Sequence, residues 1–217
     1  MKPYVILNAA MTLDGKIATK TGSSKISGKK DMVRVHQLRK DMDGIIVGIG
    51  TVLADDPKLT VSKIDALLED NPIRIVVDSQ GRTPINSRVL NKMAPTIIAV
   101  SGKYSDTREI KELSKKADIF VSGKEHVDLS KLLDYLYSQG IKTLMLEGGS
   151  TLNFSMIKEG LIDEIRICIG PMIVGGNYAK TLFDGEGFDF MEDSVKLDLI
   201  NINQLDQDLI LTYKIIK

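Results

Sequence analysis

The chain has 217 residues, 43% hydrophobic and 27% charged, with 29 Lys+Arg set against 29 Asp+Glu. A chain of this length buries roughly 70% of its unfolded surface, enough for a full core, and balanced charge excludes a global attraction to nucleic acid or to a membrane surface. The single cysteine, Cys168, excludes an intrachain disulfide, and His36 and His126 lie too far apart to give metal-ligand spacing, so no metal site is expected.

The amino terminus reads MKPYVILNAAMTLDGK. Its apolar part is short and runs straight into Asp14, so neither a signal peptide nor a membrane span is expected, and a cytoplasmic location follows. Tyr4–Ala10 is a continuous apolar run of the kind that forms a strand buried on both faces. Lys29–Asp41 is predicted helical, with Met32, Val35, His36 and Arg39 at helical spacing and Gly44 just past the end. That spacing turns Arg39 toward the side of Met32 and Val35, where it either snorkels outward or reaches a ligand. Strands are predicted at Gly44–Gly48, Ile73–Val77 and Thr96–Val100, a helix at Thr107–Ala117, and a short strand at Asp118–Val121. Asp128 is placed to cap a helix that carries Leu129, Leu132, Leu133 and Leu136 on one face and stops before Gly140. Thr143–Leu146 is another short strand, followed by a helix over Ser150–Glu159 closed by Gly160.

The pattern then changes. Asp163–Ile169 alternates, which puts Cys168 opposite Ile165, Ile167 and Ile169 and favours inert packing over a reactive thiol. Val195–Asn203 and Leu209–Ile215 flank the polar turn Asp206-Gln207-Asp208 as an antiparallel hairpin. The first two-thirds therefore alternates β and α and predicts a largely parallel sheet, to which the last third adds antiparallel strands. No linker, repeat or low-complexity segment interrupts the chain, and residues 1–217 are expected to form one domain of α/β class.

In a parallel sheet, ligands sit beyond the carboxyl ends of the strands. Four polar or glycine-rich stretches begin at such ends: Asn8–Lys16, Gly48–Thr60, Asp78–Ser79 and Glu147–Thr151. The last has the strongest physical case. Glycines admit close approach of an anion, free N–H groups at a helix start bind phosphate oxygens, and Ser150 and Thr151 add hydroxyl donors. The same residues also make an ordinary turn with an N-cap, and neither GxGxxG nor a Walker A loop is present. Gly48-Ile-Gly-Thr51 repeats the theme, with Asp55-Asp56-Pro57 behind it as a carboxylate pair or a stiffened turn. Asp14 and Lys16 flank a turn. His36 reads as a helix residue with a satisfied ring, and the Lys111–Lys116 run as a solvated face. Gly175-Gly176-Asn177 and Asp184–Phe188 either flank a site or are simply flexible.

Taken in order, N-x3-TLDGK, the Ser23–Ser27 segment, VHQLR, GIGTVLADDPKLT, VVDS, LEGGSTLN and a late GG…F-x-GEGF run over nearly the whole chain. This set resembles the riboflavin-biosynthesis pyrimidine reductases, in their stand-alone form without the zinc deaminase domain of bacterial relatives. The resemblance implies a dihydrofolate-reductase-like mixed sheet, mostly parallel, flanked by helices, with a C-terminal antiparallel β-hairpin. It implies NADPH, with NADH as the alternative, a homodimer, and a small-molecule pyrimidine ribosylamine phosphate as substrate. The implied reaction reduces the ribosyl side chain of 2,5-diamino-6-ribosylamino-4(3H)-pyrimidinone 5′-phosphate by hydride transfer to C1′ of the ring-opened imine.

Carried over by position, Ala9, Thr51, Asp55, Ser79, Gly123, Gly148, Gly149, Ser150 and Thr151 match cofactor positions, and Ser23, Arg39, Leu59 and Glu147 match substrate positions. Glu147 is the candidate to favour a cationic acceptor or orient the ring, and Asp14 and Lys16 are the candidates for the proton transfers that open the ribose. Lys25 and Ser62 depart from the bacterial pattern of Trp and Arg. A 2′-phosphate calls for a cation, and Arg82, Lys103 and Lys124 are all available. Two other readings compete: another NADPH reductase on this scaffold, and a nucleotide-binding subunit without chemistry.

Overall fold

The computed structural model describes residues 1–216. In chain order its strands and α-helices are β1 (Tyr4–Thr12), α1 (Lys29–Asp41), β2 (Gly44–Gly48), α2 (Ile49–Asp55), β3 (Ile73–Val77), β4 (Thr96–Val100), α3 (Arg108–Leu113), β5 (Asp118–Val121), α4 (Leu129–Ser138), β6 (Thr143–Leu146), α5 (Ser150–Lys158), β7 (Glu164–Gly170), β8 (Leu197–Leu205) and β9 (Asp208–Ile215). Contacts cluster into two compact units. One comprises residues 1–4 and 36–145, the other 5–35 and everything from 146 onward. Among the described residues, no helix is long and apolar enough to cross a membrane.

In the first unit β5, β4, β3 and β2 lie side by side in that order, all parallel. β4 is buried at every position and β2 at all but Gly48, which is why both read as unbroken apolar runs rather than alternating ones. α4 forms as its sequence requires. Asp128 accepts from the Lys131 N–H at 2.9 Å, and Leu129, Leu132, Leu133 and Leu136 are buried on one face. Arg74 is unexpected in such a core. Wholly buried on β3, it donates to the carbonyls of Lys58 (3.3 Å), Asn91 (2.6 Å) and Ala94 and to Asn91 Oδ1 (2.9 Å), while burial pushes its guanidinium down to about 10. Backbone carbonyls stand in for a carboxylate partner and pin two chain segments, at Lys58 and at Asn91–Ala94, to one side chain.

In the second unit the order is β1-β7-β9-β8. β1 and β7 are parallel, from Ile6 opposite Glu164 to Thr12 opposite Gly170, and β9 joins β7 antiparallel. Cys168 on β7 is fully buried, and burial, then the carboxylates of Asp31 and Asp208, push its thiol well above the usual range, as inert packing requires. β8 and β9 form the expected hairpin, with a register shift between Leu199 and Asn201. One extra residue resets the two-residue alternation, so Leu197 and Leu199 before it and Ile202 after it stay on one face. Between β7 and β8 the chain runs from 171 to 196 with no strand or α-helix, only a single turn at Met191–Asp193.

The fold is thus the expected mostly parallel sheet flanked by helices, with an antiparallel C-terminal hairpin. Several boundaries differ from the sequence reading, among them β8, which lies two residues later at each end than Val195–Asn203. β1 runs on to Thr12. α3 stops at Leu113, because beyond it Lys115 and Lys116 bond back three residues rather than four. Ile49–Asp55, to which the sequence reading gives no element, is helical. Ile49 and Val52 give it one short buried side, and Asp56 closes it in the left-handed region at φ 40° with its N–H on the Val52 carbonyl.

Candidate active site

In the second unit β1 delivers the chain into a tight turn. The Thr12 N–H donates to the Lys16 carbonyl at 2.9 Å, and Gly15 to that of Thr12 at 2.9 Å. The Thr12 hydroxyl donates to Asp14 Oδ1 at 2.6 Å and accepts from the Lys16 N–H at 3.0 Å. Asp14 also accepts from the N–H of Val174 (3.1 Å) and of Gly175 (2.7 Å). The Thr12 hydroxyl and these two amides hold its carboxyl down to about 2. The Lys16 ammonium donates to the Ala179 carbonyl at 3.3 Å. Ala9 lies further back on β1, and Ser23 is exposed in a separate turn, its N–H on the Thr19 hydroxyl at 3.1 Å.

β6 leads into Glu147, which is half-buried, and then into a Gly148–Gly149 peptide bond that is cis. Gly148 has φ 99°, a conformation that a side chain rarely adopts. Gly149 is the N-cap of α5 and offers no side chain to the helix start. The first turn-to-turn bond of α5 is Asn153 N–H to the Gly149 carbonyl at 2.9 Å, so the amides of Ser150, Thr151 and Leu152 have no partner within the helix. These are the donors an anion needs. The Ser150 hydroxyl is not one of them, because it donates to Asp184 Oδ2 at 2.8 Å.

In the first unit Thr51 and Asp55 lie one turn apart on α2. Neighbouring protein displaces enough water from Asp55 to push its carboxyl up, although the residue is exposed. Ser79 and Gly123 come together where β3, β4 and β5 end. Ser79 Oγ accepts from the Val127 N–H at 3.1 Å, its carbonyl accepts the Ser101 hydroxyl at 2.8 Å, and the Gly123 carbonyl accepts from Gly102 at 2.9 Å. A Cβ at Gly123 would stand 1.9 Å from the His126 carbonyl oxygen, so only glycine closes this corner. Of the three cations near this end in sequence, Lys103 is paired with Glu125 at 2.6 Å, whereas Arg82 and Lys124 are exposed and carry no ion pair among the described residues.

Arg39 reaches the residue that follows Leu59. Arg39 Nη1 donates to the Thr60 carbonyl at 3.0 Å, and His36 Nδ1 accepts from the Ser62 N–H at 3.0 Å, so one face of α1 holds the segment that carries Leu59. Leu59 is buried with φ 52°, and Asn71 (2.8 Å to the Val61 N–H) and Arg74 brace the same segment. Asp56 is the turn-stiffening residue of the Asp55-Asp56-Pro57 set, accepting from the Arg88 N–H at 2.7 Å.

The profile of the family described as RibD C-terminal domain matches residues 3–211, across both units. This chain belongs to that family. Similarity to members of the RibD C-terminal domain family runs end to end. The chain is 59% identical over 215 residues to the 2,5-diamino-6-ribosylamino-4(3H)-pyrimidinone 5′-phosphate reductase of Methanothermobacter thermautotrophicus, covering 99% of each. Acinetobacter baumannii RibD superposes with a TM-score of 0.84 at 29% identity over 99% of this chain, which spans 58% of that longer polypeptide. A dihydrofolate reductase from Enterococcus faecalis superposes with a TM-score of 0.51 at 11% identity, over 98% of this chain and 96% of its own, a likeness of fold alone. The sheet is therefore dihydrofolate-reductase-like.

Two residues at the family's Glu-Gly-Gly start were not singled out by sequence. Asp184 takes the Ser150 hydroxyl, and Asn153, buried below Gly148, donates to the Leu182 carbonyl at 2.9 Å and leaves its Oδ1 without a partner. The signal for Asp184 was a carboxylate next to glycine in a stretch noted only as flanking. Nothing in a single sequence ties it to a residue 34 positions earlier.

Proposed function

We infer that this chain is an oxidoreductase of riboflavin biosynthesis that reduces the ribosyl side chain of 2,5-diamino-6-ribosylamino-4(3H)-pyrimidinone 5′-phosphate to the ribitylamino product. The observation that carries this is end-to-end similarity to a protein named as that reductase. Residues 1–217 act as one reductase domain, since the family match runs through both units.

The cofactor is NADPH, which when bound supplies the hydride that reduces C1′ of the ring-opened imine. The amides of Ser150 and Thr151, beyond the glycine pair, suit its diphosphate, because they are donors at a helix start with no partner among the described residues. Gly148, Gly149, Thr51, Asp55, Ser79, Gly123 and Ala9 complete the proposed cofactor set. Arg82 or Lys124 supplies the cation for a 2′-phosphate, Lys103 being paired already. Ser23, Arg39, Leu59 and Glu147 take the substrate. The Glu147 carboxylate favours a cationic imine over its neutral form, and Lys16 handles protons at the ribose. Asp14 is better suited to shaping the turn that carries Lys16, because a carboxyl held at about 2 is a poor proton donor near neutral pH.

A homodimer fits the hairpin. Leu197 (41% exposed), Leu199 (46%) and Ile202 (56%) line one face of β8, a strand paired only with β9 in its unit. Sedimentation equilibrium should give a dimer that Ile202→Lys weakens, and a wild-type monomer at micromolar concentration would end this part of the reading. The function itself is tested by mixing the protein, the ribosylaminopyrimidine phosphate and either NADPH or NADH, and following the reduced nicotinamide absorbance. Oxidation with this substrate, faster with NADPH, and none with dihydrofolate is expected. Oxidation with dihydrofolate instead, or tight binding with no turnover on either, would replace the reading with another reductase or with a non-catalytic subunit.

A further inference from the structure

The connection between β7 and β8 has no strand or α-helix, yet, apart from a Lys158–Glu186 pair at the far end of α5, its polar side-chain contacts to the preceding chain gather in two places. One is the Thr12–Lys16 turn. The other is the start of α5, and there Asp184 is the hub. Its Oδ2 accepts the Ser150 hydroxyl at 2.8 Å and lies 3.8 Å from the Lys180 ammonium. Its Oδ1 accepts the Thr181 hydroxyl at 2.5 Å and the Thr181 N–H at 3.3 Å. Its own N–H donates to the Ser150 carbonyl at 3.4 Å, so the two residues are joined in both directions. Two residues before it, the Leu182 carbonyl accepts from Asn153 Nδ2 at 2.9 Å. Ser150 and Asn153 are 6% and 1% exposed, so this junction is built into the protein and is not a surface contact.

A serine hydroxyl has one hydrogen and two lone pairs. With the hydrogen on Asp184, Ser150 Oγ presents only lone pairs to whatever lies beside α5, and lone pairs repel phosphate oxygens. The backbone amides are then the donors that remain. We propose that Asp184 is a positioning residue of the reductase site: by taking the Ser150 hydrogen it fixes the first turn of α5, ties the β7–β8 connection to it, and leaves anion binding to the amides of Ser150 and Thr151. The proposal rests on reading the Glu147–Thr151 stretch as the NADPH cradle.

The test is NADPH binding, by titration of nicotinamide fluorescence, to the full chain and to Asp184→Ala, Asp184→Asn, Ser150→Ala and Asp184→Ala/Ser150→Ala, alongside steady-state kinetics. Losing a hydrogen bond to a charged partner that acts through a neighbour predicts weakening of about tenfold for Asp184→Ala, with the double variant no weaker than the worse single. KM for NADPH should rise in step while kcat at saturation stays within about threefold, since the cut interaction is made equally before and during the reaction. Asp184→Asn keeps one accepting oxygen and should recover most of the binding. If Asp184→Ala does not fold, the cycle of Asp184→Ser, too short to reach the Ser150 hydroxyl, with Ser150→Ala reports the same coupling. Binding of Asp184→Ala within twofold of wild type, or losses that multiply in the double variant, would overturn the proposal. Wild-type protein that binds no NADPH removes the cofactor reading and this inference together, whereas wild-type binding with unchanged variants removes the inference alone.

Discussion

The starts of α2 and α5 share one sequence grammar: an apolar strand, glycine, then a hydroxyl residue, with a glycine as N-cap and no side chain capping either helix. They differ in what surrounds that grammar. Before the N-cap, α2 has Val47, a buried strand residue, and α5 has Glu147 and a glycine at φ 99°. α2 is seven residues long with two buried side chains, and Asp56 and Pro57 end it at once. α5 is nine long, buries six, and is tied through Ser150 and Asn153 to a distant connection. Strand–glycine–hydroxyl therefore builds a helix start with open amides. The carboxylate, the positive-φ glycine and the outside brace are what α5 has and α2 lacks, and the proposed chemistry is placed on that difference.

The largest expected difference between the two starts is chemical. Glu147→Gln should lower kcat by about 10²–10⁴-fold, the usual worth of a positioned acid or base, with NADPH binding unchanged. Changes on α2 should act on KM instead. Unchanged turnover in Glu147→Gln would erase the chemical side of the comparison. The next difference is conformational. Gly148→Ala forces a side chain into a backbone region that costs on the order of 1–3 kcal/mol, and should lower the melting temperature and weaken NADPH binding. Gly50→Ala, in the first turn of α2, meets nothing within 4 Å and no positive φ. It should raise stability by about 0.5–1 kcal/mol as glycine entropy is removed from a helix. Equal melting shifts from the two variants would show that the glycines do the same work.

How far each start was legible in sequence follows from the same contrast. α5 was legible to within one residue because Leu152, Phe154, Met156 and Ile157 recur through the middle of a nine-residue helix before Gly160 stops it. α2 was not legible because seven residues with only Ile49 and Val52 buried hold too little period to see. The parallel strands were legible because burial on both faces leaves unbroken apolar runs. The β8 bulge was not, since alternation shows the faces of a strand but not an extra residue within it. Among candidate residues, Ser79 and Gly123 bond to the neighbouring residues Ser101 and Gly102 past the strand ends, and only β-topology brings positions 44 apart to one place. Arg74 and Asp184 were invisible for the same reason, since each is defined by partners far along the chain.

The smallest expected effect lies at the far clasp of the brace that α5 has and α2 lacks. Asp14 takes the amides of Val174 and Gly175, and its folded carboxyl sits at about 2, below the ordinary value near 4. A depressed carboxyl contributes stability that is fully present above its unfolded pKa and is lost as pH falls through its folded one. The clasp should therefore hold at neutral pH and open between about pH 4 and pH 2. Hydrogen exchange at the Val174 and Gly175 amides, corrected for intrinsic rate, should quicken across that window in the wild type. Asp14→Asn, which keeps one acceptor but not the charge, should exchange quickly already at pH 7 and show no step. At pH 7 its turnover should fall only a few-fold, because what it loses is the shape of the turn under Lys16 and not a proton donor. A loss as deep as that of Glu147→Gln would instead assign Asp14 to the proton transfers, and the clasp would be a by-product of a catalytic carboxylate.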